Sequence, residues 1–269
     1  MRKVKEILMC LTPILMTILL SIFLELAVYF LSAVTGFDLY SFFGTHLTFY
    51  LVTYHLLLLG VSWLWYYFSI YRYKRQKKSE SAFTVHSLGG ILLLAFSASL
   101  FISFYLLFLG ILLPDLMNGY DTMIEDSGLM GLGFLSTLST LIIAPVAEEL
   151  FFRGLTFRYA RQAGAGFMLA NFIQALLFGI YHMNLVQGSY AFLLGLILGW
   201  IYKKYKSIPA AILFHSCFNF CGTYLSAAVS LLPQTVFVNG CILAVGLVSF
   251  AVALKLIRKD TGHLRTEQF

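Results

Sequence analysis

Apolar positions along the chain gather into eight runs: Ile7 to Val34, Leu47 to Tyr71, Leu88 to Leu113, Leu129 to Phe152, Phe167 to Met183, Tyr190 to Tyr202, Ile208 to Leu232 and Thr235 to Ile257. A helix needs roughly 20 mainly apolar residues to cross a bilayer, and each run is a candidate span by that measure. The sixth is the short one.

The polar positions between the runs alternate in kind. Arg2, Lys3 and Lys5 precede the first run; Arg72, Lys74, Arg75, Lys77 and Lys78 follow the second; Arg153, Arg158 and Arg161 follow the fourth. Lys203, Lys204 and Lys206 follow the sixth, and Lys255, Arg258, Lys259 and Arg265 close the chain, which accounts for all 18 Lys and Arg. The intervening segments carry only acids: Asp38, Asp115, Asp121, Glu125 and Asp126. Basic residues concentrate in cytoplasmic loops, so the pattern predicts an all-α, polytopic membrane helix bundle of about eight transmembrane helices, both termini cytoplasmic, in a cell membrane. The predicted units are residues 1–128 with three helices, 129–232 with the polar core, and 233–269 with the last helix and a tail.

Composition agrees. The chain is 60% hydrophobic and 11% charged, with a mean hydropathy of +0.86, too apolar for a water-soluble domain of 269 residues. The net charge of +6 is a topology signal and not a nucleic-acid patch. Met-Arg-Lys-Val-Lys opens like a signal peptide, but the following apolar stretch is much longer than a signal core and lacks a small-residue exit, so it reads as a retained helix. Cys10, Cys217, Cys221 and Cys241 fall inside apolar runs and read as core hydrophobes. Trp63, Trp65, Tyr66, Tyr67, Tyr71 and Tyr73 read as an interfacial aromatic belt. Pro114 to Gly128, with its four acids and Asn118-Gly119, reads as a solvated connection. Glu25 and His55 read as polar residues hydrogen-bonded within the bundle.

The costly feature is Ala144-Pro-Val-Ala-Glu148-Glu149-Leu-Phe-Phe-Arg153-Gly. Ionised groups in hydrocarbon mark functional sites unless paired or watered. Glu149 and Arg153 are four apart and pair on one helix face, which leaves Glu148 facing elsewhere without that partner. Further along, Phe178 and His182 end the fifth run, and His215 and Asn219, four apart, share a face of the seventh.

These motifs, Glu-Glu-x-x-x-Arg, Phe-x-x-x-His and His-x-x-x-Asn on separate helices, resemble those of the CPBP intramembrane proteases, which group CAAX prenyl proteases with bacteriocin-processing and self-immunity proteins. Pro145, Gly154 and the lead from Ser207 into His215 are similar as well, and the resemblance spans about Leu135 to Gly222. It implies that Glu148 and His182 activate a water, that His215 and Asn219 stabilise the oxyanion, and that Glu149, Arg153 and Phe178 support them. It leaves open a zinc alternative with Glu148, His182 and His215 as ligands, since two His and one Glu form a recurrent catalytic set.

Depth constrains the fourth helix. If it ended at Arg153, Glu148 would lie within about 8 Å of the surface while His182 lay roughly 24 Å along its own helix. Convergence requires the fourth helix to continue to about Arg161, with the cavity opening to the cytoplasm. Three functions fit these residues: an endopeptidase acting on a membrane-associated protein or peptide precursor, a non-proteolytic immunity or regulatory protein that binds a membrane partner, and a proton-linked carrier.

Overall fold

The structure, a computed structural model, describes residues 2–71, 85–127, 133–233 and 235–260. In chain order the helices are α1 (Glu6–Thr35), α2 (Leu39–Thr45), α3 (Leu47–Ile70), α4 (Ser87–Leu112), α5 (Pro114–Ser127), α6 (Phe134–Gln162), α7 (Phe167–Tyr181), α8 (Leu185–Tyr205), α9 (Ile208–Val229) and α10 (Val236–Lys259). Seven of these are long and apolar enough to cross a membrane, and α7 is a shorter apolar helix of 15 residues. The chain is a multi-pass membrane bundle. The basic residues between 72 and 78, Tyr73 and Arg265 lie outside the described residues.

Three expectations change. The short run is the fifth and not the sixth: α8 starts at Leu185 because the Asn184 side chain accepts a hydrogen bond from the Gln187 backbone N–H and caps a helix through the polar stretch before Tyr190. The connection from Pro114 to Gly128 is helical over Pro114–Ser127, because Pro114 suits a first helical position and Asp115 complements the positive helix end. That helix, α5, is tethered by a hydroxyl contact of 3.1 Å between Tyr120 and Tyr190 and by the Asn184 amide on Met123 Sδ. Glu25 does not enter the bundle. It is exposed on α1, on the outward stripe with Ile18, Ile22 and Tyr29.

The aromatic belt also divides. Trp63 points outward, whereas Trp65 donates its Nε1–H to the Tyr159 hydroxyl at 3.0 Å and packs edge-on against Phe151. The short helix α2 is started by Asp38, whose carboxylate accepts from the Ser41 N–H and hydroxyl at 2.9 and 2.6 Å. Those bonds hold the Asp38 carboxyl below its ordinary pKa.

The bundle is organised around α6, the most enclosed of its spanning helices. Ala147, Phe151, Phe152 and Leu155 of α6 are buried in the main core. In lipid the attraction between helices comes from close packing and not from expelled water, so small residues decide where helices meet. Between α7 and α8 that rule is plain. A Cβ on Gly188 would come within 2.7 Å of the Gly179 carbonyl, and one on Gly195 within 2.9 Å of the Ala175 backbone. On the far side, α10 lies along α4, where the Ser97 hydroxyl donates to the Gly246 carbonyl at 2.9 Å.

Candidate active site

The carboxylate pair sits on α6 between two stretches of widened, π-helical turn, Ser139–Ile143 and Leu150–Thr156. Such turns are rare and cluster at functional sites. The first is tied to Pro145. The Ala144 N–H reaches back five residues to the Ser139 carbonyl, so it no longer serves Thr140. The donor five residues after Thr140 would be Pro145, which has no N–H. The Thr140 carbonyl thereby loses the backbone donors four and five residues on, and Asn219 of α9 supplies another, donating from Nδ2 at 2.9 Å.

Helix α6 continues to Gln162, as the depth argument requires, which puts Glu148 about 21 Å from that end. Glu148 is 6% exposed, and Glu149 and Arg153 are fully buried. Arg153 NH1 donates to Glu149 Oε1 at 2.9 Å. The same oxygen lies 2.8 Å from His215 Nδ1, and the His215 Nε2 faces Glu148 Oε2 at 3.7 Å. An ionised Glu149 favours the proton on Nδ1, so the geometry reads as a chain from Arg153 through Glu149 and His215 to Glu148. Glu149 therefore holds His215 as well as Arg153, a link that the i, i+4 spacing could not disclose.

His182 is the capping residue of α7, which ends there because Met183 turns left-handed at φ 52°. Its Nδ1 lies 2.9 Å from the Phe178 carbonyl. With the proton on that nitrogen, Nε2 keeps its lone pair. The hydrogen bonds and ion pairs of Glu148 and His182 among the described residues do not join the two directly. His182 is linked to the rest of the site by Phe178, whose ring centroid is 4.9 Å from the His182 ring and 5.7 Å from the His215 ring, with the Arg153 guanidinium 4.6 Å from it. Phe178 is the spacer that sets the separation of both imidazoles.

Two functional supports escaped the sequence reading. Gln174 Nε2 donates to the Gly195 carbonyl at 2.8 Å and to Asn171 Oδ1 at 2.7 Å, while Arg153 NH2 reaches the same Gly195 carbonyl at 3.4 Å. Asn171 and Gln174 thus fix, from α7, the Gly195 carbonyl that the buried guanidinium also uses. Their signal was present: residues 171, 174, 178 and 182 fall on one helical face.

The zinc alternative requires Glu148, His182 and His215 to meet at one point. Among the described residues no three His, Cys, Asp or Glu side chains gather as a metal set. His215 and His182 each have Nδ1 occupied, by Glu149 and by the Phe178 carbonyl, and the Nε2 is the nitrogen that each keeps for another partner.

Residues 130–221 match the family model described as Type II CAAX prenyl endopeptidase Rce1-like. That region is similar to the CAAX protease family. It is the family that the three motifs resemble, and Glu148, His182, His215 and Asn219 all fall in the matched region. No curated protein and no solved structure matches the chain. A CAAX-type protease is a hydrolase, and α1 through α5 and α10 lie outside the CAAX protease match.

Proposed function

We propose that the chain is an intramembrane endopeptidase that hydrolyses a peptide bond in a membrane-associated protein or peptide precursor. The observation that carries this reading is a buried carboxylate, Glu148, facing an imidazole at 3.7 Å while the buried Arg153 guanidinium is committed to Glu149. Glu148 takes a proton from a water whose oxygen bonds to the substrate carbonyl carbon, and His182 Nε2 accepts a hydrogen bond from that water. The oxyanion is met by the second N–H of Asn219 and by a proton on His215 Nε2, with Glu149 balancing the imidazolium. As the C–N bond breaks, Glu148 returns its proton to the leaving amine. The sum is water plus peptide giving a carboxylic acid and an amine.

This reading takes both termini as cytoplasmic, a topology that the distribution of basic residues supports, and the substrate is a chain that reaches the site within the membrane. Comparing new protein termini in membranes and secreted peptides from cells with wild-type and Glu148→Ala protein tests it. Fragments that vanish in Glu148→Ala are the expected result. Identical fragment sets with full phenotypic rescue by the variant would instead favour a partner-binding role.

A further inference from the structure

The first π-helical turn of α6 is held from two sides. Asn219 of α9 takes the Thr140 carbonyl, as described above. From α3, His55 Nδ1 lies 2.8 Å from the Ser139 hydroxyl. Ser139 is fully buried, and the residue opens the turn, since its carbonyl receives the Ala144 N–H. His55 is outside the matched 130–221 region and belongs to none of the three motifs.

A π-turn adds one residue to a helix, and each residue is about 100° of rotation. Closing the turn would therefore swing everything after it, Glu148 and Glu149 included, by about that angle relative to the part of α6 before it. The Glu149–His215 bond and the approach of Glu148 to His215 exist in one register only. Pro145 loosens the local backbone ladder, so the register needs outside restraint. Without His55, the buried Ser139 hydroxyl would be free to turn back on its own helix and relax the turn.

We propose that His55 is a positioning residue of the proteolytic site, acting through Nδ1 and Ser139 to lock the π-turn that aims Glu148. The inference rests on the proteolytic reading, and two readouts keep the two apart. The Asn amide nitrogen reproduces the place of imidazole Nδ1, and the Gln amide reproduces that of Nε2, so His55→Asn and His55→Gln separate the ring's two ends. Backbone amide exchange over residues 139–149, measured by mass spectrometry on the purified full chain, reads the lock without any substrate. We expect His55→Ala, His55→Gln and Ser139→Ala to raise exchange there at least tenfold, with His55→Asn within threefold of wild type. On a fluorogenic peptide built from a Glu148-dependent cleavage site, the same three variants lose at least tenfold in kcat with KM within twofold, and His55→Asn is largely rescued. Unchanged exchange in His55→Ala, or rescue by Gln and not Asn, overturns the proposal. A Glu148→Gln protein that cleaves at the wild-type rate overturns the role of Glu148 in the proteolytic reading instead and leaves the exchange result standing.

Discussion

Arg153 and Glu149 show why a buried charge has to be read with all of its neighbours. Each is fully enclosed, and their 2.9 Å contact keeps either from being left alone in a medium where a lone ion costs several kcal/mol. Replacing Arg153 with Met removes the cation and leaves Glu149 with His215 alone, which costs about 3–5 kcal/mol of stability. Removing both charges, with Glu149→Gln and Arg153→Met together, is expected to recover part of that loss. Thermal unfolding of the three proteins in detergent checks the order, and a double variant no more stable than Arg153→Met would contradict it. The i, i+4 spacing made this pair legible in the sequence, and it correctly freed Glu148 from Arg153. It could not reveal His215 between the two glutamates, because that contact joins residues 66 apart. Nor could it show that Asn219 spends one N–H on Thr140, since that need arises only from the combination of a π-turn with Pro145.

Helices supply the precision that the residues need, and two of their devices can be tested. If Asn219 serves the carbonyl that Pro145 strands, restoring an N–H at position 145 should reduce its value. Asn219→Ala leaves a half-buried carbonyl without that donor, at about 1 kcal/mol or more. In a Pro145→Ala background the same change should cost less by at least ~0.5 kcal/mol, a coupling that a double-mutant cycle measures and strict additivity would refute. The second device is the small-residue seam between α7 and α8. A Cβ at Gly199 would fall 1.7 Å from Asn171 Oδ1, so Gly199→Ala should destabilise by about 1–3 kcal/mol, with Asn171→Ala restoring most of it. Loss of stability in Gly199→Ala that Asn171→Ala does not relieve would show that the clash lies elsewhere. Hydropathy found nearly every spanning helix here, but it placed the start of α8 too late and took α5 for a loop. Both errors fall where a cap or a first-turn proline decides and apolar content does not.

Across the whole molecule, the enclosure of α6 and the reach of its neighbours explain how a chain this apolar carries a polar centre at all. Helix α6 runs on to Gln162, deep enough for Glu148 to meet His215, while α7 stops at His182 and α9 brings Asn219 to the same level. The recognised region supplies those groups, and α3 adds His55 and the packing of Trp65 and Tyr66 against α6 from outside it. The central claim is that Glu148 activates the attacking water, and a general base of this kind contributes about 10²–10⁴-fold. The most direct measurement is the cleavage rate of purified protein in lipid vesicles on a peptide carrying a site identified in cells, compared between wild type and Glu148→Gln. The account predicts that the variant keeps its fold and its thermal stability and loses at least 10²-fold in rate. A folded Glu148→Gln protein that cleaves within a few fold of wild type would contradict it.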